Sequence, residues 1–346
     1  MATKLVSLAL QGGGSHGAFT WGVLDRLLED DRIDIDGISG ASAGAMNAVV
    51  LAYGHAVGGR PGARRALREF WQAVSSKASF AGFEQAEVPW AGANPASLLK
   101  TFTWMTRFFT PQQLNPLGID PLRAILADQI DFERLRADGR IKLFVAATEV
   151  RSGRLRLFRN QDLSLQALLA SACLPAVQRP IEIDGEAYWD GALSANPPLH
   201  PLLRHCNARD VMIVLLQPCR REHVPATADE IWQRSAEIGF AAAFFAELDG
   251  VVRAKREAER GRFALGRIER KLRALNLHVI AKDELMTQLG PHSRFNVQPP
   301  FVNALFDQGR DHADAWLGAN FPLIGRRSSA DLQRLLPPQP MEELTP

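Results

Sequence analysis

Residues 4–53, KLVSLALQGGGSHGAFTWGVLDRLLEDDRIDIDGISGASAGAMNAVVLAY, decide the fold by the order of their residue types. Lys4–Leu10 is an apolar run of strand length, as expected for a strand buried on both faces. A glycine cluster follows, and then Ala18–Leu28 places Phe19, Val23, Leu24, Leu27 and Leu28 at helical spacing. Ile33–Ser39 is a second short strand, and Ala43–Tyr53 is a helix of small apolar residues suited to close packing on a sheet. Strand, turn, helix, strand, turn, helix predicts an α/β domain with a mostly parallel sheet.

The same alternation continues outward. Helices are predicted over Arg64–Lys77, over Ala96–Phe109, from the Asp120-Pro121 cap onward and over Ser164–Cys173. Ile141–Val150 is a buried strand, and Val211–Gln217 is the last clear core strand. Ile181–Trp189 is a hairpin by its Asp184-Gly185 turn. Beyond Pro218 the texture becomes helical, with stretches over Ala226–Leu248, Val251–Leu275 and Val302–Leu317, a short strand near Leu277–Ile280 and a Pro-rich tail. The boundary predicted from this change separates 1–217, an α/β domain, from 218–346, a helical extension packed on it.

Bulk properties exclude several classes. Forty basic and 38 acidic side chains leave a formal charge of +2, too balanced to imply a nucleic-acid partner. Cys173, Cys206 and Cys219 form no CxxC pair and are odd in number, so a disulfide framework is not expected and a reducing cytoplasm is the default. No apolar run reaches the roughly 18 to 20 residues of a membrane span. The N-terminal apolar stretch runs straight into Gly12 and reads as a strand, not a secretion signal. No HExxH, EF-hand loop or Cys/His cluster suggests a metal, and no cofactor is expected.

Two turns carry the chemistry. Gly40-Ala41-Ser42-Ala43-Gly44 is a GxSxG pattern, weak by itself because Gly and Ser are common. Its context raises it: a strand precedes Ser42 and a helix follows, the setting that exposes a serine hydroxyl on a tight turn. The helix N-terminus also favours negative charge developing there. A plain Gly-Ser loop is the bland alternative.

Gly12-Gly13-Gly14-Ser15-His16-Gly17 has two readings. As Gly12-x-Gly14-x-x-Gly17, with Asp36 about twenty residues on, it fits a dinucleotide fingerprint in a regulator or oxidoreductase. As consecutive N–H donors it fits an oxyanion hole built from Gly12, Gly13 and Gly14. The second strand feeds almost at once into Ser42, and neighbouring parallel strands bring both turns to one sheet edge. That juxtaposition suits acyl transfer better than pyrophosphate binding. A base is also required, but none of the eight histidines stands in a distinctive triad context, whereas Asp190-Gly191-Ala192 closes the aromatic strand Tyr188-Trp189. In isolation an ordinary Asp-Gly turn is the better account of those residues.

In order, Gly12–Gly17, Gly40–Gly44 and Asp190-Gly191-Ala192 resemble the three motifs of the patatin-like phospholipase family. Ser171–Ala176 and Asp190–Pro198 are similar to bacterial members, and the resemblance spans about residues 4–217. It implies a three-layer α/β/α fold with a helical C-terminal extension. It also implies a Ser42–Asp190 dyad acting through an acyl-enzyme on lipid acyl esters. His16 stands where the family commonly has Arg or Lys, so packing is the favoured role for it over a fixed charge. Ala192 replaces a frequent second glycine.

Two surface features bear on substrate. Trp90, Phe102, Trp104, Met105, Phe108 and Phe109 fit an acyl channel or a bilayer face, with core packing at least as good an account. The basic run Arg253 to Arg273 fits anionic headgroups, although a solvated face paired with acids is the commoner arrangement. A peripheral contact on the inner membrane face, oligomeric state, a His-containing α/β-hydrolase triad and a catalytically idle lipid-binding adaptor all stay open at this level.

Overall fold

The computed structural model describes residues 3–79, 113, 120–175, 177–219, 221, 223–261, 266–289, 291–331 and 335–336. The aromatic cluster from Trp90 to Phe109, the helix predicted over Ala96–Phe109 and the Pro-rich tail lie outside them.

Eight strands form one mixed sheet. They are β1 (Lys4–Leu10), β2 (Ile33–Ala41), β3 (Lys142–Glu149), β4 (Leu155–Arg159), β5 (Ile181–Ile183), β6 (Glu186–Asp190), β7 (Asp210–Leu215) and β8 (Asn276–Ala281). Hydrogen-bonded neighbours run β5-β6-β3-β2-β1-β7-β8, with β4 on β3. The pairs β3–β2, β2–β1, β1–β7 and β7–β8 are all parallel.

Side-chain alternation along the central strands makes the fold three-layered. In β7, Met212 and Val214 face one apolar cluster while Val211, Ile213 and Leu215 face another. The first cluster takes in α1 (Gly17–Glu29), α2 (Ala43–Ser79), α3 (Pro121–Gln129), α4 (Phe132–Asp138) and α5 (Leu165–Ser171). The second is covered by α6 (His200–His205) and α7 (Ala228–Arg260), which supply Leu202, Phe244, Leu248 and Val252. Helices on both faces of a mostly parallel sheet give α/β/α layering, as expected.

Local chemistry explains most boundaries. The Ser164 hydroxyl accepts from Ala167 N–H and starts α5, and Asp120 accepts from Arg123 N–H ahead of Pro121 to start α3. Asp184 and Gly185 both take positive φ, 51° and 82°, which matches the two-residue hairpin turn joining β5 and β6. The two helices expected within 43–77 form one run interrupted at Gly58-Gly59.

The C-terminal third differs from the sequence reading in two respects. The stretches over 226–248 and 251–275 are not separated at Asp249-Gly250. A Thr227–Glu230 capping box starts α7, which continues through buried Leu248 and Val252 to Arg260, and a short α8 (Arg267–Ala274) follows. The short strand near 277–280 is β8, the edge strand of the sheet, running parallel to β7 from Asn276 to Ala281. After α9 (Asp283–Gln288), α10 (Pro299–Asn320) lies against α1, where Arg310 and Arg64 both pair with buried Asp25. The helical extension therefore completes the sheet and its first layer as well as packing on them.

Three residues of the basic run pair with acids of the same helix. Arg253 pairs with Asp249 at 2.7 Å, Lys255 with Glu259 at 2.8 Å and Arg260 with Glu257 at 3.2 Å, all within α7. All three cysteines are free, and burial pushes the Cys173 thiol up to about 12.

Candidate active site

The register along β3 brings the two sequence-predicted residues together. Ala41, the last residue of β2, lies opposite Ala146, and Asp190, the last residue of β6, lies opposite Ala147. Because β4 occupies the other edge of β3 over the same residues, β2 and β6 share one edge and meet end to end. Ala41, the residue before Ser42, and Asp190 therefore face consecutive residues of β3, although 148 residues separate Ser42 from Asp190 in sequence.

Ser42 has φ 52°, one of two non-glycine residues among those described in the left-handed region. Such a conformation costs about 1–3 kcal/mol and persists only where the surroundings fix it. Here they do: Ser42 N–H donates to the Ser171 carbonyl at 3.0 Å, and Met46 N–H in α2 donates to the Ser42 carbonyl at 3.0 Å. The strained turn leaves Ser42 half-buried between Ala41, fully buried, and Gly44. Gly44 is obligatory because a Cβ there would stand 2.1 Å from the Leu10 carbonyl oxygen of β1.

Asp190 is fully buried. Its backbone N–H donates to the Cys173 carbonyl at 2.8 Å, so the segment from Ser171 to Cys173 anchors both residues. Thr148 Oγ1 donates to the Asp190 carbonyl at 2.8 Å. In the carboxylate, Oδ1 accepts from Ala192 N–H at 2.8 Å, whereas Oδ2 has no partner among the described residues. Desolvation pushes the carboxyl up to about 7, against smaller opposing pulls from Ala192 N–H and the neighbouring Ser42 hydroxyl. The Ser42 hydroxyl therefore lies near enough to the carboxyl to favour its ionised form.

The glycine loop lies at the same edge, but its three N–H groups are not equivalent. Gly12 N–H donates to Asn196 Oδ1 at 2.6 Å, so it is committed to holding the loop and is corrected from donor to anchor. The N–H groups of Gly13 and Gly14 have no partner among the described residues. Gly14 takes φ 60° directly against the Arg294 backbone, where a Cβ would be 2.3 Å from the carbonyl oxygen. Gln11 Oε1 receives the N–H groups of Leu216 and Gln217 at 2.6 and 3.0 Å, fixing the loop to the end of β7.

His16 is 2 % exposed, with Nε2 2.8 Å from the Ser293 hydroxyl. Burial, reinforced by the nearby Arg294 charge, brings its pKa down to about 3, so it is a neutral, packed imidazole. Asp36 is likewise occupied: Oδ1 pairs with Lys142 at 2.7 Å, and Oδ2 accepts from the N–H groups of Asn207 and Ala208. A ribose would have to displace those partners, which removes the acid that the dinucleotide reading needs.

A Ser–His–Asp arrangement does exist, at the opposite edge of the sheet. His278 is fully buried, with Nε2 2.9 Å from Asp210 Oδ1 and Nδ1 2.9 Å from Ser329 Oγ. It ties β8 and the chain end to the start of β7, and no histidine is a hydrogen-bond partner of Ser42 among the described residues. No trio of His, Cys, Asp or Glu side chains among the described residues is arranged to hold a metal.

Sequence comparison places this geometry in context. The signature of the patatin-like phospholipases, described as "Patatin-like phospholipase", matches residues 8–203, more than half of the chain. The chain belongs to the patatin-like phospholipase family. It is therefore a lipid acyl hydrolase in its general class, and the matched span contains Ser42, Asp190 and the glycine loop. No curated protein sequence matches the chain. Among solved structures it is similar to VipD from Legionella pneumophila, at 15% identity and TM-score 0.42, over 92% of this chain and 67% of that one. It is also similar to ExoU of Pseudomonas aeruginosa in complex with SpcU, at 16% identity and TM-score 0.33, over 92% of this chain and 53% of ExoU.

Gln11, Ser171 and Asn196 hold the site together but carried no site role in the sequence reading. Asn196, a polar residue ahead of two prolines and directly after the Asp190 motif, is the one with a local signal.

Proposed function

We propose that this phospholipase-family chain hydrolyses carboxylic esters of lipids with Ser42 as nucleophile and Asp190 as its only base. The observation that carries the reading is the Asp190 carboxyl, fully buried beside Ser42 with Oδ2 unpartnered and its pKa raised to about 7. An aspartate near its ordinary value is a feeble base, whereas one poised near 7 can take and return a proton at neutral pH.

In this mechanism Ser42 Oγ attacks the ester carbonyl carbon as its proton passes to Asp190 Oδ2. The tetrahedral oxyanion is received by the N–H groups of Gly13 and Gly14, and each such donor is worth about a hundredfold to a thousandfold in rate. The N-terminus of α2 adds favourable field at the same point. Protonated Asp190 then gives its proton to the leaving alkoxide, which departs as the alcohol and leaves an acyl-Ser42 ester. Water attacks that ester with Asp190 again as base, releasing the fatty acid and restoring the hydroxyl. No step passes through a metal.

The substrate is reached at a lipid surface in our reading, from the cytoplasmic side. Support for the lipid surface comes from Val224, ahead of α7, and Ile231 and Trp232, early in it, which are at least half exposed.

Fluorophosphonate labelling with peptide mapping tests the nucleophile. Wild type should carry the adduct on Ser42, and Ser42→Ala should lose both the label and p-nitrophenyl ester turnover while keeping its melting temperature. Labelling at another serine, or turnover retained by Ser42→Ala, would defeat the assignment.

A further inference from the structure

Gly13 and Gly14 carry the N–H groups without a partner among the described residues, but the peptide that aims them is fixed one residue earlier. A Cβ on Gly12 would stand 2.6 Å from the Ala41 carbonyl oxygen and 2.8 Å from Ser42 Cβ, so Gly12 rests directly against the turn of the nucleophile. A Cβ on Gly13 would meet the Leu216 side chain at 3.2 Å. Three consecutive glycines have little preference of their own for one backbone conformation. Their direction relative to Ser42 therefore has to come from bonds made to the loop from outside.

Asn196 makes the bond nearest to Ser42. It is fully buried, six residues after Asp190 on the same segment. Its Oδ1 accepts from Gly12 N–H at 2.6 Å, its Nδ2 donates to the Phe240 carbonyl of α7 at 3.4 Å, and its main-chain carbonyl accepts from Gln11 Nε2 at 3.4 Å. Gln11 is buried as well, and its Oε1 is taken by the N–H groups of Leu216 and Gln217. Asn196 thus ties the loop to α7 and, through Gln11, to the end of β7.

This bonding pattern selects an amide. Gly12 N–H faces an acceptor and the Phe240 carbonyl faces a donor; an amide offers one of each at every pH, whereas a carboxylate only accepts. A carboxylate here would also set a buried negative charge one peptide away from N–H groups that receive an oxyanion, and like charges at that range oppose one another.

We infer that Asn196 is a positioning residue for the reaction at Ser42. It holds the Gly12 peptide against the Ser42 turn so that the next two N–H groups converge on the developing oxyanion, and its neutrality is required there. The inference rests on the hydrolase reading above. One segment then carries both the base, Asp190, and the residue that orients the donors, so proton transfer and oxyanion binding are set by the same short stretch of chain.

Two substitutions test it. Asn196→Ala removes both side-chain bonds and should lower kcat for p-nitrophenyl butyrate by about a hundredfold, the cost of misplacing a reacting group by roughly 1 Å, with KM within about threefold of wild type. Asn196→Asp keeps the shape and the acceptor for Gly12, and burial raises such a carboxyl toward neutral pH. Its kcat relative to wild type should fall about tenfold or more between about pH 6 and 9 as the carboxyl ionises, whereas the ratio for Asn196→Ala should stay flat. A purely structural role would lower the folded fraction without splitting the two ratios. A kcat within about threefold of wild type in both variants, a loss confined to KM, or a flat ratio for Asn196→Asp would overturn the inference. The isosteric Asn196→Asp keeps the test decisive if Asn196→Ala does not fold. Amide hydrogen exchange in the Ser42→Ala protein, with and without Asn196→Ala, reads the loop without catalysis. Exchange at Gly12 should quicken by about tenfold or more, and unchanged exchange would also overturn the inference. A wild type that turns over no ester would defeat the hydrolase reading, while exchange at Gly12 would still decide whether Asn196 holds the loop.

Discussion

Asp190 and Asp210 are both buried carboxylates in the same sheet, yet their surroundings push them in opposite directions. Each loses hydration, and in both desolvation is the largest single influence and raises the pKa. Asp210 is met by His278, Gly325 N–H and Asn276, which together outweigh burial and hold it below its ordinary value. Asp190 receives Ala192 N–H on one oxygen, leaves the other unpartnered and rises to about 7. What separates the two carboxylates is thus the number of donors left for each, not depth. The edge with satisfied bonds holds the fold together, and the edge with an unsatisfied one is available for chemistry.

Exchanging each aspartate is the strongest way to break this contrast. Asp190→Asn should lower kcat/KM on p-nitrophenyl esters by about a thousandfold or more, the upper part of the range for a general acid-base group. The same variant should melt no lower than wild type at pH 8. Asp210→Ala should do the reverse, because it leaves His278 buried without its carboxylate. A loss of about 3 kcal/mol in urea unfolding is expected, with kcat per folded molecule near wild type. Equal effects of both changes on turnover would erase the distinction between the edges.

The pH dependence sharpens the same comparison. Asp190 must be ionised to act as base, so turnover should rise with pH through an inflection near 7 and flatten above it. For stability the sign is opposite. The folded pKa, about 7, exceeds the unfolded value near 3.8, so wild type loses stability between those two values as the unfolded chain ionises first. Asp190→Asn should remove that fall, and the two melting curves should separate as pH climbs from 4 to 7. Asp210, held low in the fold, contributes stability above its unfolded pKa that is lost only as pH falls through the lower folded one. Its effect therefore belongs to acid unfolding below about pH 4.

How much of this was legible in the sequence follows from the range of the interactions. Strand, turn and helix from Lys4 to Tyr53 are fixed by residues close together in the chain, through apolar periodicity, capping and glycines. The neighbouring turns that bear Ser42 and the glycine loop could be read from that order. Asp190 needed a motif as well, because its relation to Ser42 comes from two strands meeting on β3. Contacts between distant segments carried no local signal. Asn196 reaches Gly12 across 184 residues, and Gln11 reaches Leu216 across 205. Nothing in the helical texture after Pro218 announces that β8 joins the sheet, or that Arg294 stands behind Gly14. The oxyanion assignment failed at Gly12 for the same reason: a glycine's freedom is visible in sequence, but the fate of its N–H is not.

The smallest expected effect concerns His16, which stands beside the glycine loop and is packed there as a neutral ring. Burial and the Arg294 charge lower its pKa to about 3, and its Nε2 contacts Ser293 Oγ. No proton is therefore gained or lost at this ring during turnover near neutral pH. Gln in its place keeps a polar partner for Ser293 and removes only the capacity for charge. His16→Gln should accordingly change kcat/KM by less than about threefold, within 1 kcal/mol. The pH profile should keep its single rise near 7 in both proteins. If His16 supplied an imidazolium to the oxyanion, wild type would lose activity above its titration point and His16→Gln would lose it at every pH. A descending limb near the ordinary histidine value of about 6.5, absent from the variant, would show that charge rather than packing holds this position.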